Sequence, residues 1–216
     1  MNNDKYFMYG DEETNWLKSK DKVLAEAIDQ IGHINRPINP DLFISLIDCI
    51  VGQQISAKAH ATIWKRMQDK FGEQLTPISL AQADINDIQT CGMSIRKAEY
   101  IKTVACEVYD GSLDLAKLPT MSDEDVKKRL VQIKGVGVWT AEMLMIFSMQ
   151  RPNILSWDDL AIIRGMRMLY HHRKITPQLF KKYYRRYEPY ATVASIYLWE
   201  ISTGKWGHVD RQPTKK

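Results

Sequence analysis

One segment, residues 122–150, limits the fold of this chain more than any other, because it sets two glycines between two helical patterns. It reads SDEDVKKRLVQIKGVGVWTAEMLMIFSMQ. Before the glycines, Val126, Leu130 and Ile133 recur at spacings of three and four, which predicts the buried stripe of a helix. A second apolar helix follows at once. The turn between them consists of Gly135, Val136 and Gly137. The segment therefore predicts a tight helical hairpin.

The backbone of this turn could bind an anion. Amides at a glycine-rich turn beside a helix N-terminus attract negative charge, so a phosphate could be held by Gly135, Gly137 and Thr140. A hairpin that needs glycine only for its loop explains the same residues. Both interpretations stay open on the turn alone.

The rest of the chain also follows the helical period, with almost no strand pattern. Ser56 is expected to cap a helix that ends before Gly72. The helices are predicted over 41–51, 57–71, 79–90, 94–109, 122–133, 139–150, 156–170, 176–186 and 190–203. We therefore expect an all-α fold of two helical lobes: a central lobe over about 40–155, with the hairpin at 122–150, and a second lobe formed by 1–39 plus 156–216.

Composition narrows the class of protein without identifying it. The chain has 216 residues, 44% of them hydrophobic, and a net charge of +4, with basic residues concentrated in its last third. That charge permits nucleic-acid binding, although a solvated helix face would explain it too. No apolar run is long enough to span a membrane, and no signal-peptide core is present, so we expect no membrane association and an intracellular location, cytoplasm or nucleoid in a bacterium.

Cysteine usage argues against a disulfide framework or a metal cluster. The three cysteines, Cys49, Cys91 and Cys106, are scattered and show no Cys-x-x-Cys spacing. They are expected to be buried thiols.

The stretch LVQIKGVGVWTAEMLMIF, residues 130–147, resembles the hairpin of the helix-hairpin-helix DNA glycosylase superfamily. The usual form there is Leu-Pro-Gly-Val-Gly, a variable pair, then Thr and Ala. Lys134 stands in place of the proline and puts a cation beside the expected phosphate. The resemblance also implies a monovalent cation, Na⁺ or K⁺, bound by backbone carbonyls of Val131, Ile133 and Val136, while no cofactor is expected to be required.

A second element of the superfamily lies downstream, in residues 156–165. The resemblance places a catalytic aspartate on the first turn of the next helix and an arginine five residues later, and Asp159 and Arg164 fit both positions. A carboxylate there would stabilise the positive charge that builds on the sugar when a glycosidic bond breaks. Taken alone, Asp158 and Asp159 would be ordinary acidic residues at a helix N-terminus.

Three further segments resemble 3-methyladenine DNA glycosylase II: residues 50–56, 91–98 and 193–199. With the hairpin and the aspartate, the resemblance covers roughly residues 40–206, in the form that lacks an additional N-terminal α/β domain. It implies excision of alkylated purines, of the 3-methyladenine and 7-methylguanine type, from double-stranded DNA by a base-flipping monomer.

The resemblance also assigns residues around the flipped base. Gln54, beside Gln53, falls where a side chain fills the gap in the stack, and Trp139 and Trp199 fall near the base pocket, where indole could stack on a cationic purine. Packing in the core is the alternative explanation of the two tryptophans. Met143 stands where the long form of the family has a pocket tyrosine, and Ala191 where it has an arginine, so the pocket is expected to differ in shape.

Trp139 bears on the type of reaction. Glycosylases of this superfamily that also nick the strand have a lysine at this position, which forms a Schiff base with the sugar. The tryptophan predicts an enzyme without lyase activity.

Two other functions remain open from the sequence. One is a glycosylase of the same superfamily for another lesion, although the branches with iron–sulfur clusters need four cysteines and the 8-oxoguanine branches carry the hairpin lysine. The other is a non-catalytic module that uses the hairpin only to bind DNA phosphates; such a module would not need Asp159.

Overall fold

The computed structural model of the protein describes residues 5–72 and 75–210. Its regular structure there is helical, apart from an isolated antiparallel bridge between Tyr6 and Pro37, so the predicted all-α class is confirmed. A 3₁₀ helix covers Leu115–Thr120. The α-helices are α1 (Asp11–Lys20), α2 (Lys22–Ile31), α3 (Leu42–Gly52), α4 (Ala57–Phe71), α5 (Pro77–Gln82), α6 (Ile85–Gln89), α7 (Ile95–Tyr109), α8 (Asp123–Val131), α9 (Val138–Phe147), α10 (Leu160–Tyr170), α11 (Pro177–Tyr187) and α12 (Ala191–Ser202).

The chain divides into two units. Unit 1 is Met1–Ile38 together with Gln150–Lys216, and unit 2 is Asn39–Met149. The second boundary precedes residue 150, whereas the sequence placed it at residue 156. The segment between belongs to unit 1 because Thr192 donates to the carbonyl of Arg151 at 2.6 Å and Tyr184 donates to that of Asn153 at 3.0 Å.

Unit 2 is built around α3. Its residues Leu46, Ile47, Ile50 and Val51 have no exposed surface, and the helix packs against α4, α7 and α9. The α9 helix is nearly as buried, as its continuous apolar sequence requires. Through α9, this packing attaches the hairpin formed by α8 and α9 to the core of unit 2.

Unit 1 joins the two ends of the chain through α12, which packs mainly against α10. At the crossing, a Cβ added to Gly165 would lie 2.2 Å from the carbonyl oxygen of Leu198. The two helices are therefore in backbone contact, which only glycine allows.

Side-chain caps explain where most helices begin. Ser56 accepts the amide of Ala59 at 3.2 Å, which confirms the predicted cap, and Ser122 accepts that of Asp125 at 3.2 Å. Nearly all of these caps are Asp, Ser or Thr, which satisfy the first amides of a helix.

Two of the predicted helices divide or begin differently in the structure. The helix predicted over 79–90 is two helices, because Asp84 caps α6 by accepting the amide of Asn86 at 2.8 Å, and Lys102 donates to the carbonyls of Ala81 and Ala83 at the end of α5. The helix predicted from 156 begins only at Leu160, since Asp159 caps it.

Two helices were missed altogether, α1 and α2. A signal for α2 was present, because Asp21 caps it and Leu24, Ala27 and Ile28 form a buried stripe. Among the described residues, no helix combines the length and the apolar sequence that a membrane span needs.

Candidate active site and nucleic-acid interface

The turn of the hairpin requires glycine at one of its two positions. Gly135 has φ +90°, and a Cβ there would lie 2.2 Å from Cδ2 of Tyr100. Gly137 has φ −92°, which any residue can adopt, and an added Cβ would meet no atom within 4 Å. Gly135 is thus needed by the fold, whereas the described structure gives no steric reason for Gly137.

The N-terminus of α9 is exposed at this turn. Gly137 caps the helix and has no side chain to accept the first amides of α9. Gly137 and Val138 are exposed, and so is Lys134 just before them. Amides and a cation at an exposed helix N-terminus can bind an anion such as phosphate.

Thr140 and Gln53 meet behind the turn. Thr140 is 2% exposed, and its hydroxyl accepts from Nε2 of Gln53 at 3.3 Å. The same Nε2 donates to the carbonyl of Gly135 at 2.9 Å. Thr140 can therefore offer an anion only its backbone amide, and Gln53 links the loop after α3 to the hairpin instead of projecting from it as a wedge.

Gln54 is placed differently from Gln53. It is exposed and has φ +57°, in the left-handed region that side chains rarely adopt. Lys97 holds the backbone just before it, because Nζ donates to the carbonyls of Val51 at 2.9 Å and Gln53 at 2.6 Å. Gln54 thus remains the candidate wedge.

Lys97 was not assigned a role from the sequence, although it lies in the segment that carried the family resemblance. Burial lowers its pKa. It stabilises the C-terminus of α3, where carbonyls lack helical partners, and so positions the Gln53–Gln54 loop.

Two predicted pocket residues lie on α9. Trp139 is half-buried in its first turn, and Met143, one turn later, is 4% exposed. Their assignment to a base pocket stays a prediction.

The three residues predicted for the cation site can supply suitable oxygen ligands. Val131 is the last residue of α8 and Ile133 lies two residues after it, where helix carbonyls lose their partners, and Val136 lies in the turn. The Ile133 carbonyl accepts the amide of Val136 at 3.0 Å and keeps a second lone pair. Such hard oxygen donors suit Na⁺ or K⁺, so these residues could hold one and bring positive charge to the turn.

Asp159 lies in unit 1 as the N-cap of α10. It is 7% exposed, and its Oδ1 accepts the amides of Ala161 at 2.8 Å and Ile162 at 2.9 Å. An aspartate at this position satisfies the first amides of the helix. Leu160 beside it is 85% exposed, so this helix end lies at the surface of unit 1.

Trp199 lies close to an arginine that no sequence pattern indicated. It is half-buried near the end of α12, and Cζ of Arg36 lies 5.1 Å from the centre of its ring. Burial lowers the pKa of Arg36, while the charges of Asp159 and Glu200 partly offset that effect. The fold thus groups Asp159, Trp199 and Arg36, three residues far apart in the chain. No local pattern marks Arg36.

Arg164 shares its charge with a carboxylate. Its Nε lies 3.6 Å from Oδ2 of Asp210, which Arg167 holds by two bonds of 2.9 and 2.8 Å. The Arg164 side chain is half exposed, so its contact with a DNA phosphate stays a prediction.

Comparison with known proteins identifies the family to which this arrangement belongs. An all-α fold with a glycine-turn hairpin and a carboxylate capping the following helix defines a helix-hairpin-helix protein. Residues 47–189 match the family described as HhH-GPD superfamily base excision DNA repair protein, and the chain belongs to that family.

Its relatives and structural neighbours agree with this membership. DNA-3-methyladenine glycosylase 1 of Schizosaccharomyces pombe is 34% identical over 161 residues, which cover 73% of this chain and 71% of the relative. The crystal structure of a DNA-3-methyladenine glycosidase from Bacillus halodurans superposes with a TM-score of 0.83 at 33% identity, covering 96% of each chain.

A DNA complex is also among the similar structures. The Schizosaccharomyces pombe 3-methyladenine DNA glycosylase bound to abasic DNA has a TM-score of 0.81 at 28% identity, covering 90% of this chain and 98% of that one. Some relatives are longer: the chain spans 62% of one from Bacillus subtilis, at 30% identity over 177 residues.

Proposed function

We propose that this protein is a monofunctional DNA glycosylase of base excision repair, which flips alkylated purines out of duplex DNA and hydrolyses their glycosidic bond. One observation carries the proposal: Asp159, a buried carboxylate at the N-terminus of α10, is held in place by the backbone amides of Ala161 and Ile162. The relatives named as 3-methyladenine glycosylases support the substrate class.

Asp159 acts on the sugar. As the base departs, positive charge grows on C1′, and an ionised carboxylate fixed by two backbone amides stabilises that charge without having to move. It also orients the water that adds to C1′. The product is an abasic site.

The tryptophans act on the base. An alkylated purine such as 3-methyladenine or 7-methylguanine is cationic in DNA, so it stacks favourably on the electron-rich face of an indole. It is also a good leaving group, which lowers the barrier that the protein must overcome. We assign this role to Trp199 in unit 1 and to Trp139 and Met143 in unit 2.

The hairpin and the Gln54 loop hold the DNA. A backbone phosphate binds at the turn to the amides of Gly135, Gly137 and Thr140, aided by Lys134, with Arg164 at a further phosphate. Gln54 fills the stack that the flipped base leaves, and its amide can hydrogen-bond to the unpaired base. A structural Na⁺ or K⁺ at the hairpin belongs to the same proposal, as does an intracellular monomer that acts where DNA is found.

The decisive variant is Asp159→Asn. Asparagine caps helices as well as aspartate does, so α10 keeps its start while the negative charge is lost. We expect base release from methylated duplex to fall at least about a hundredfold, with duplex affinity and thermal stability nearly unchanged. Chromatography of the released bases, over alkylated, deaminated and oxidised duplexes, measures the loss and ranks the lesions.

Two comparisons complete this experiment. Asp159→Ala loses the cap as well and should cost a further ~1 kcal/mol of stability. Borohydride should trap no covalent adduct with DNA, since no lysine stands at the position of Trp139. Base release by Asp159→Asn at the wild-type rate would show that the carboxylate is not catalytic, and no release by the wild type would favour a DNA-binding module.

A further inference from the structure

Arg36 is fixed beside the residues proposed for catalysis. Its carbonyl accepts the amide of Phe7 at 2.8 Å, and the next residue, Pro37, forms the bridge with Tyr6. The side chain extends to Trp199, with Cζ 5.1 Å from the ring centre. The guanidinium therefore covers a face of a tryptophan that is proposed to stack on the flipped base.

Two carboxylates act on this guanidinium. Asp159 and Glu200 both favour its charged form, against the effect of burial. Glu200 follows Trp199 directly, and its Oε1 accepts the indole N–H of Trp206 at 2.9 Å. Arg36 thus brings a positive charge to the Trp199 ring, within the electrostatic reach of two carboxylates.

A base bound at Trp199 experiences this charge whichever face it uses. The centroids of stacked rings lie about 4.5–7 Å apart, so the base lies within roughly 12 Å of the guanidinium. With an effective dielectric constant of about 20, one unit charge at that distance changes an affinity or a rate by roughly tenfold. The charge of Arg36 is large enough to influence which lesions are accepted.

Purine lesions differ in charge when the bond breaks. The electron pair of the C1′–N9 bond leaves with the base, and water adds to C1′ and releases a proton to solvent. A cationic purine such as 7-methylguanine departs neutral, whereas a neutral purine such as hypoxanthine departs as an anion and then takes up a proton. A nearby guanidinium opposes the binding of the first and stabilises the departure of the second.

We propose that Arg36 determines the charge preference of the base site: it weakens the attraction for cationic purines and supports the excision of neutral ones. The inference rests on the proposed glycosylase function. Asp159 alone would favour every lesion through the charge on the sugar, while Arg36 distinguishes lesions by the charge on the base.

The test compares base release from two duplexes that differ only in the lesion, 7-methylguanine or hypoxanthine. In Arg36→Gln, the ratio of kcat/KM for 7-methylguanine to that for hypoxanthine should rise at least about tenfold. Arg36→Lys keeps the charge and should leave this ratio within about threefold of the wild-type value. Arg173→Gln removes an exposed charge of unit 1 as a matched control and should also preserve the ratio.

Each outcome of this test either supports or contradicts the role of Arg36. A structural role for Arg36 would lower both rates together, and an unchanged ratio in Arg36→Gln would overturn the proposal. So would a wild type that releases 7-methylguanine but no hypoxanthine. If Arg36→Gln unfolds below the assay temperature, Arg36→Met, which keeps much of the aliphatic stem, replaces it with the same expectation. A wild type that releases no lesion at all would contradict the glycosylase function itself.

Discussion

Gly135 and Gly137 lie two residues apart in one turn, but the surroundings restrict a side chain at each position differently. Gly135 combines a positive φ with the ring of Tyr100 against it, so any side chain strains the turn. Gly137 has an ordinary φ and open space around it. The constraint on Gly137 is therefore expected to come from a ligand.

The two alanine variants separate these constraints. Gly135→Ala should lower the free energy of unfolding by about 1–3 kcal/mol or more, because Cβ collides with Tyr100. Gly137→Ala should change it by less than about 0.5 kcal/mol but weaken duplex binding, since a methyl group would stand between the α9 amides and a phosphate. Urea unfolding measures the first effect, and duplex affinity over a salt series measures the second.

Losing a phosphate contact should also reduce the dependence of affinity on salt, by about one unit of slope. Gly137→Ala with the wild-type affinity and slope would mean that no phosphate binds at this turn.

At the scale of elements, the crossing of α10 and α12 positions the candidate catalytic residues of unit 1. Asp159 caps the first helix and Trp199 lies on the second. Gly165 lets the two backbones meet at Leu198. The separation of the helices at this point fixes the positions of both functional side chains.

Gly165→Ala should separate the helices. A Cβ 2.2 Å from a backbone oxygen cannot be accommodated by a rotamer change, so we expect a loss of about 3 kcal/mol or more of stability. Base release should fall further than unfolding alone explains. Gly10→Ala is the matched control, because an added Cβ there meets no atom within 4 Å.

Thermal melting and base release below the melting range measure both effects. A Gly165→Ala protein with wild-type stability would show that the helices are not held in backbone contact.

At the scale of the whole molecule, buried hydrogen bonds connect the N-terminal and C-terminal segments of the chain within unit 1. Asp21, 3% exposed, accepts from Tyr170 at 2.9 Å and from Arg186 at 2.6 Å. Tyr170 and Tyr187 share a hydrogen bond of 2.6 Å. Burial is the main reason that the pKa of both phenols, and that of Tyr197, is raised.

The raised pKa values of these phenols predict that the protein loses stability at alkaline pH. The unfolded chain loses its phenolic protons near pH 10, whereas the folded protein retains them, so stability is unaffected below that pH and falls above it. Each group that titrates only in the unfolded state contributes about 1.4 kcal/mol per pH unit. Urea unfolding between neutral pH and pH 11 measures the slope.

Tyr187→Phe tests whether the buried phenols cause the loss of stability at alkaline pH. It should reduce the alkaline slope while costing about 1 kcal/mol at neutral pH, where the bond to Tyr170 is lost. A wild-type stability that stays constant to pH 11 would contradict the role of the buried phenols.

Much of the fold followed from local signals in the sequence. A helix needs a stripe at a period of 3.6 and a cap at its start, and both are encoded within a few residues, as at Ser56 and Ser122. The hairpin and Asp159 were found for the same reason, because each belongs to a short continuous segment. Boundaries failed where a competing cap such as Asp84 divided a helical pattern.

Only the tertiary structure decided how distant residues combine. It joined the Gln53 amide to the hairpin across 82 residues, which left Gln54 as the exposed member of the pair. It also brought Arg36 onto Trp199 and near Asp159. Such contacts depend on helix packing, which a periodic pattern does not specify. Local sequence determined most of the helices, the turn and the carboxylate, while packing alone set the charge around the proposed base site.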